Sequence, residues 1–463
     1  MQERKVDYER SRSIGICLGT FDADRHVVQE LLTGLADSTR FRLNLSSTLE
    51  NPMLVSRLII CTLFAALGST ALAQDVHILN GQVVEYDTER GSVLVDSLLI
   101  DAGGTLRVKG ADRFRLVARR GVIINGILDV SGFDALSVGT LNTTHIAEPG
   151  AEGGPLGGPG GRASFRSSTS SEGGMPGSGL GALFFRLGGG GGESGYQFIT
   201  GQSDERRGAG GGGGVFAADQ PVNLMDLGAP ENKGLVARSG MDGSSMALGA
   251  RTGLLVPRGG VLGDAVFTDM QADNDFYGRK VVGGSILVGE LDFPFAGSGG
   301  GGGGDAVASA SFPSLPFYAG GDEKGAGGGG GGGLGILIAP YIGIGPAGQI
   351  RADGGDGGAG ENTYFFNRVG GGSGAGSGGS LILQAREMDL RFASAQALSA
   401  LGGEGGAGRN DVHGAVGAGG NGGPGVIQIH VLNAATDLHL PPGVGLDTLS
   451  APRAHILLPE PGL

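Results

Sequence analysis

The chain has 463 residues, with 99 glycines, no tryptophan, 2 cysteines, 17% charged residues and 40% hydrophobic ones. That balance excludes a chain held open by its own charge, and a formal net charge of −13 excludes the basic footprint of a nucleic-acid binder. Glycine at about three times its usual share is the property from which the fold has to be read.

In chain order, the first informative stretch is 53–73, MLVSRLIICTLFAALGSTALA. Arg57 supplies a positive start, Leu58–Leu67 is an apolar run too short to span a bilayer, and Ala71-Leu72-Ala73 precedes Gln74 as a small-residue cleavage site. This predicts a secretory signal peptide cleaved between Ala73 and Gln74. A signal begins a chain, so Met53 is the expected start and 1–52 an upstream extension. The rival reading is an N-terminal module with an internal anchor, in which DADRHVVQELLTGLAD (22–37) forms an amphipathic helix. Cleavage removes both Cys17 and Cys61, leaving an exported chain with no disulfide, no cysteine metal site and no membrane span.

Residues 74–134 carry short apolar runs separated by Gly, Asp and Asn, among them Val93-Leu94-Val95, Leu98-Leu99-Ile100, Leu106–Val108, Phe114–Ala118 and Ile127–Val130. Such near-regular units predict a β-solenoid-like segment, although a small sandwich gives the same local pattern. Residues 135–325 form a glycine-rich region with polar inserts read as surface loops. Residues 326–432 hold a repeat of about 45 residues: GILIAP (335–340), SLILQA (380–385) and GVIQIHV (425–431) each follow a glycine block, and GGSILVGELDF (283–293) reads as a degenerate copy. Residues 433–463 are a tail.

Where other residues interrupt the glycine blocks they fall three apart. Asp353, Asp356 and Ala359 do so, as do Glu404 and Ala407, and Ala415, Ala418, Asn421 and Pro424. A period of three fits neither strand nor α-helix; it fits the extended polyproline II or polyglycine II helix, which has no internal hydrogen bonds. Such segments satisfy their backbone only by bundling, with N–H and Cα–H groups facing neighbouring carbonyls. The alternative is a set of flexible glycine linkers. The predicted class is therefore all-β, with parallel β-solenoid-like repeats combined with glycine-rich polyproline II or polyglycine II-type helices.

No chemistry of catalysis assembles in the sequence. The many Gly-x-Gly-x-x-Gly matches are trivial at this composition, and no glycine is followed by lysine, so there is no phosphate-binding P-loop. The closest approach to a polysaccharide-cleaving set is Asp129 with Arg119 and Arg120, read here as solvent-facing residues. No cofactor is expected except calcium. Asp353, Asp356 and Asn362 lie in glycine turns, and Asp273-Asn274-Asp275 is a second oxygen cluster, of the residue types that supply calcium's oxygen ligands.

The succession GGGGGG, LGILIAP and IGIGPAGQIRADGG within 80–432 resembles the glycine-rich secreted or surface repeat proteins of Gram-negative, myxobacterial-type bacteria. The glycine-dense part is similar to PE-PGRS proteins without their N-terminal PE module. LLPEPGL (457–463) resembles the start of a PEP-CTERM sorting signal. The resemblance implies a surface or matrix component. The expected function is an exported, non-enzymatic structural or adhesive protein, with surface polysaccharide, other matrix proteins or further copies of itself as partners. A secreted polysaccharide-acting enzyme and a calcium-ordered adhesin are the alternatives.

Overall fold

The computed structural model describes residues 74–138, 148–163, 206–207, 211–214, 274–289, 291–304, 324–361, 368–408 and 418–461. Contacts divide the chain into Met1–Ala66 and Leu67–Leu463, and all described residues belong to the second unit. The predicted upstream extension and signal peptide lie outside the described residues.

In chain order the strands begin with β1 (Asp75–Ile78), β2 (Val83–Asp87), β3 (Val93–Ile100), β4 (Thr105–Lys109), β5 (Phe114–Ile124) and β6 (Ile127–Asp129). After β7 (Arg206–Arg207) come β8 (Arg279–Val282) and β9 (Ser285–Val288). Then follow β10 (Leu334–Ile344), β11 (Gln349–Arg351), β12 (Arg368–Val369), β13 (Ser380–Asp389), β14 (Leu398–Ser399) and β15 (Val426–His430). The chain closes with helix α1 (Ala434–Asp437), β16 (Leu438–His439), helix α2 (Leu446–Leu449), β17 (Ser450–Ala451) and β18 (His455–Leu457).

Two parallel sheets organise these strands. An eight-stranded sheet runs β1-β3-β5-β10-β13-β15-β18, with β16 also on β13, and a six-stranded sheet runs β17-β14-β11-β6-β4-β2. Short turns carry the chain from the first sheet to the second and stack on one another, Asn125 N–H donating to Ile100 O and Gly345 N–H to Ile124 O. Asn125-Gly126 is one such crossing, so β5 and β6 do not pair with each other. Buried apolar side chains alternate along β2 to β6, and Tyr86 of β2 meets the Phe114 ring of β5 edge-on at 5.9 Å. The opening residues of β10, β13 and β15 are buried on both faces. Their second cover is 291–296, where Ala296 packs on Leu334, Ile336 and Ile382, and Leu291 and Phe295 pack on Val426.

This corrects the predicted all-β solenoid class. Among the described residues the arrangement is α/β-like, with two large parallel-strand sheets, a few short helices and no closed solenoid. The connections explain why. Residues 130–333 intervene between β6 and β10, yet β5 pairs directly with β10, and two helices interrupt the path from β15 to β18. Uniform coils therefore do not close among the described residues. The repeat strands β10, β13 and β15 lie side by side, Gly335 opposite Leu381 and Leu381 opposite Ile427. The stretch read as a degenerate copy does not join them: β9 folds back on β8 as an antiparallel hairpin whose Val281, Ile286 and Val288 are exposed.

The glycine blocks pack as extended segments in a bundle beside the sheets. Segment 324–333, which holds the run of glycines at 327–333, is enclosed on every side. Its N–H groups donate in a three-residue rotation: Ala326, Gly329 and Gly332 to 370–379, Gly328 and Gly331 to 157–163, Gly330 and Gly333 to 130–133. Its carbonyls accept, in the same rotation, from 297–303, from 151–154 and from Gly355. Segment 370–379 is enclosed likewise, with Ser373, Ala375 and Ser377 as its departures from glycine. A Cβ on Gly330 would stand 1.9 Å from Glu152 O, and one on Gly331 2.2 Å from Gly297 O. The Cα hydrogens face carbonyl oxygens where side chains would be.

Direction follows from the sheets. Segments 324–333, 370–379 and 418–425 lead into strands of the first sheet, whereas 131–138, 352–361 and 401–408 leave strands of the second. The two sets therefore run antiparallel to each other.

Adding one methyl group at the centre, Gly330→Ala, has no space to occupy and should cost about 3 kcal/mol or more of stability. Thermal melting checks this, with Glu404→Ala on the exposed surface as the control that stays near wild type. Amide exchange followed by mass spectrometry should find 327–333 as protected as β10. Fast exchange confined to the glycines would mean that the bundle opens independently of the sheets.

Candidate functional site

Side chains three residues apart on the outer segments of the bundle form a grid. Ser131, Asp134 and Ser137 stand on one segment, Asp353, Asp356 and Ala359 on the next, Leu401, Glu404 and Ala407 on the third. Across these three segments the bonds run in one direction. The amides of Asp353, Asp356 and Ala359 donate to Ser131 Oγ at 3.0 Å, Asp134 Oδ1 at 2.9 Å and Ser137 Oγ at 3.1 Å. The amides of Leu401 and Glu404 then donate to Asp353 Oδ1 and Asp356 Oδ1, both at 2.7 Å. Gly405 N–H donates to Asn421 Oδ1 at 2.8 Å.

The sequence separation across the first junction is constant at 222 residues, and across the second at 48. Asp134, Asp356, Glu404 and Asn421 are exposed and make one row of this grid. Each of Asp134, Asp356 and Asn421 commits one side-chain oxygen to a neighbouring amide and turns the rest of its polar end toward solvent.

The residues proposed for calcium are thus placed as follows. Asp353 and Asp356 stand on one segment, three residues apart, and each accepts backbone amides. Asn362 lies outside the described residues. Asp353 is the more enclosed: its Oδ1 also accepts from Ser399 Oγ, and burial raises its carboxyl pKa above the ordinary 3.8, opposed by these hydrogen bonds. In the second oxygen cluster Asp273 is outside the described residues, and the carbonyl of Asn274 accepts the Phe276 amide at 2.7 Å. Among the described residues, no group of three or more His, Cys, Asp or Glu side chains converges as a metal site would require.

Asp129 and the Arg119–Arg120 pair lie on different sheets. Asp129 on β6 is bonded to Arg107 of β4, whose guanidinium also stacks over the Phe133 ring at 4.2 Å. Arg119 and Arg120 form a bulge on β5, where the register with β3 shifts between Val95 and Ser97; they face Asp96 and Asp75 instead. Sequence reasoning missed Ser131, Asp134 and Ser137. Their own spacing of three was the available signal, obscured in SGFDALSV because no glycine pairs mark the period.

No family model, curated protein or solved structure matches the chain. No helix among the described residues is long and apolar enough to cross a membrane.

Asp353→Ala removes the acceptor for Leu401 N–H and Ser399 Oγ and should cost about 1–3 kcal/mol. Asp353→Asn keeps an acceptor and loses the charge. Because the folded-state pKa is raised, the proton on Asp353 favours folding at low pH, and that contribution is lost as pH rises above 3.8 through the folded value. The melting temperature of Asp353→Asn relative to wild type should therefore climb above pH 3.8 and level off once the pH has passed the folded-state value. Parallel curves would mean that the carboxyl titrates normally.

Proposed function

We propose that this is an exported, non-enzymatic protein that acts as a structural or adhesive component of the cell surface or extracellular matrix. One observation carries the reading: the enclosed segment 327–333, whose backbone is hydrogen-bonded all around and packed too closely to admit a methyl group, as a stiff structural body would be. The arrangement of the carboxylates supports it. Asp353 and Asp356 hold neighbouring amides rather than turning toward a common reacting atom. The signal-like 53–73 stretch and the absence of cysteine beyond Cys61 support export. In this reading the sheets and the bundle form a stiff body, and the outward faces make the contacts with polysaccharide, matrix protein or further copies.

In the native cell the protein should be recovered from the surface or extracellular fraction, with an N-terminus at Gln74 by terminal sequencing. It should also survive protease concentrations that digest ordinary domains. Recovery in the cytosol with residues 1–73 still attached would overturn the export reading.

A further inference from the structure

The outward face of the eight-stranded sheet is covered over the first half of β10 and β13 by 291–296, but beyond Ile338 it is open. Tyr341 stands there. Its ring leans along its own strand over Gly343, where a Cβ would meet Oη at 2.8 Å and Cε1 at 2.9 Å. On β5 the neighbouring residue is Gly121, whose missing side chain leaves the ring's other flank clear, with Cδ1 3.5 Å from the Cβ position. Two glycines thus make room for one phenol to lie down on the sheet.

The surrounding polar groups are fixed. Tyr341 Oη donates to Asp389 Oδ2 at 3.3 Å, and Arg391 clamps the same carboxylate through Nε at 2.9 Å and Nη2 at 2.6 Å. That clamp holds the Asp389 pKa at about 2, so it is ionised wherever the protein works. Glu387 lies directly opposite Tyr341 in register, and His439 Nε2 is 3.2 Å from its carboxylate. Glu387 and Arg391 are half exposed.

We infer that this patch is a saccharide-binding subsite for a neutral polysaccharide, with Tyr341 as the platform and Glu387, Asp389, Arg391 and His439 as partners for sugar hydroxyls. The inference rests on the adhesive reading above and names the partner. The chemistry selects the ligand class. A ring lying along the surface offers its face to the apolar side of a sugar, while rigid acceptors and donors at its rim suit hydroxyl groups. Each carboxylate here already faces a nitrogen base, Asp389 with Arg391 and Glu387 with His439, so the patch presents no cluster of unpartnered like charge to attract a polyanion or a polycation.

Affinity electrophoresis of the chain 53–463 or its processed form tests this, with hydroxyethyl cellulose, galactomannan or polygalacturonate cast in the native gel. At least one neutral polymer should retard the wild type. Tyr341→Ala should weaken that binding by about tenfold or more, as truncating an aromatic anchor does. Tyr341→Phe keeps the ring and should retain most of it, and Arg391→Ala should bind less tightly than wild type. Melting curves of each variant separate lost binding from lost folding. Absence of retardation by either neutral polymer, retardation by polygalacturonate alone, or equal retardation of a folded Tyr341→Ala would overturn the inference. Those results leave the export reading standing, since that is decided by fractionation and the N-terminus.

Discussion

The constraint on which the rest depends is that a buried backbone without side chains must still pair every N–H and carbonyl. A strand solves this with two neighbours, one on each edge. Segment 324–333 solves it in a rotation of three, which needs partners all around it. No single segment can supply them, so the bundle forms collectively or not at all. This also explains the composition. A glycine run is costly in chain entropy, and it is tolerable only where any Cβ would collide with a neighbouring carbonyl, as at Gly330.

The sheets make that collective step feasible by setting the alignment beforehand. Parallel ladders fix β10 against β13 and β13 against β15, and the glycine segments enter those strands already in register. The second sheet does the same for the segments that leave it. Apolar burial around Leu334, Ile336 and Ile382 thus orders a neighbourhood whose own hydrogen bonds carry no sequence information. The outer segments then return to ordinary residues at one position in three, and those side chains bind the next segment's amides.

The sequence contained the strands and the period of three because both are written in residue types: apolar alternation for one, interruptions of glycine for the other. It did not contain the sheet order. Nothing in the spacing of Phe114–Ile124 and Leu334–Ile344 says that they pair across the intervening chain, and the predicted solenoid failed on that point. The roles of Asp353 and Asp356 were likewise illegible, because an acid in a glycine turn looks the same whether it faces a cation or an amide. Tyr341 was invisible as a site; its setting depends on Gly121, far away in sequence, and on Gly343, one glycine among many.

The constant separations across the grid have a consequence for how such a chain can vary. Successive residues of a segment stand one third of a turn apart. A single inserted residue inside a segment would rotate every following side chain into the packed interior, whereas an inserted triplet would only slide the grid by one step. Length change within the glycine segments should therefore be quantised in threes, a reading frame imposed by packing rather than by codons.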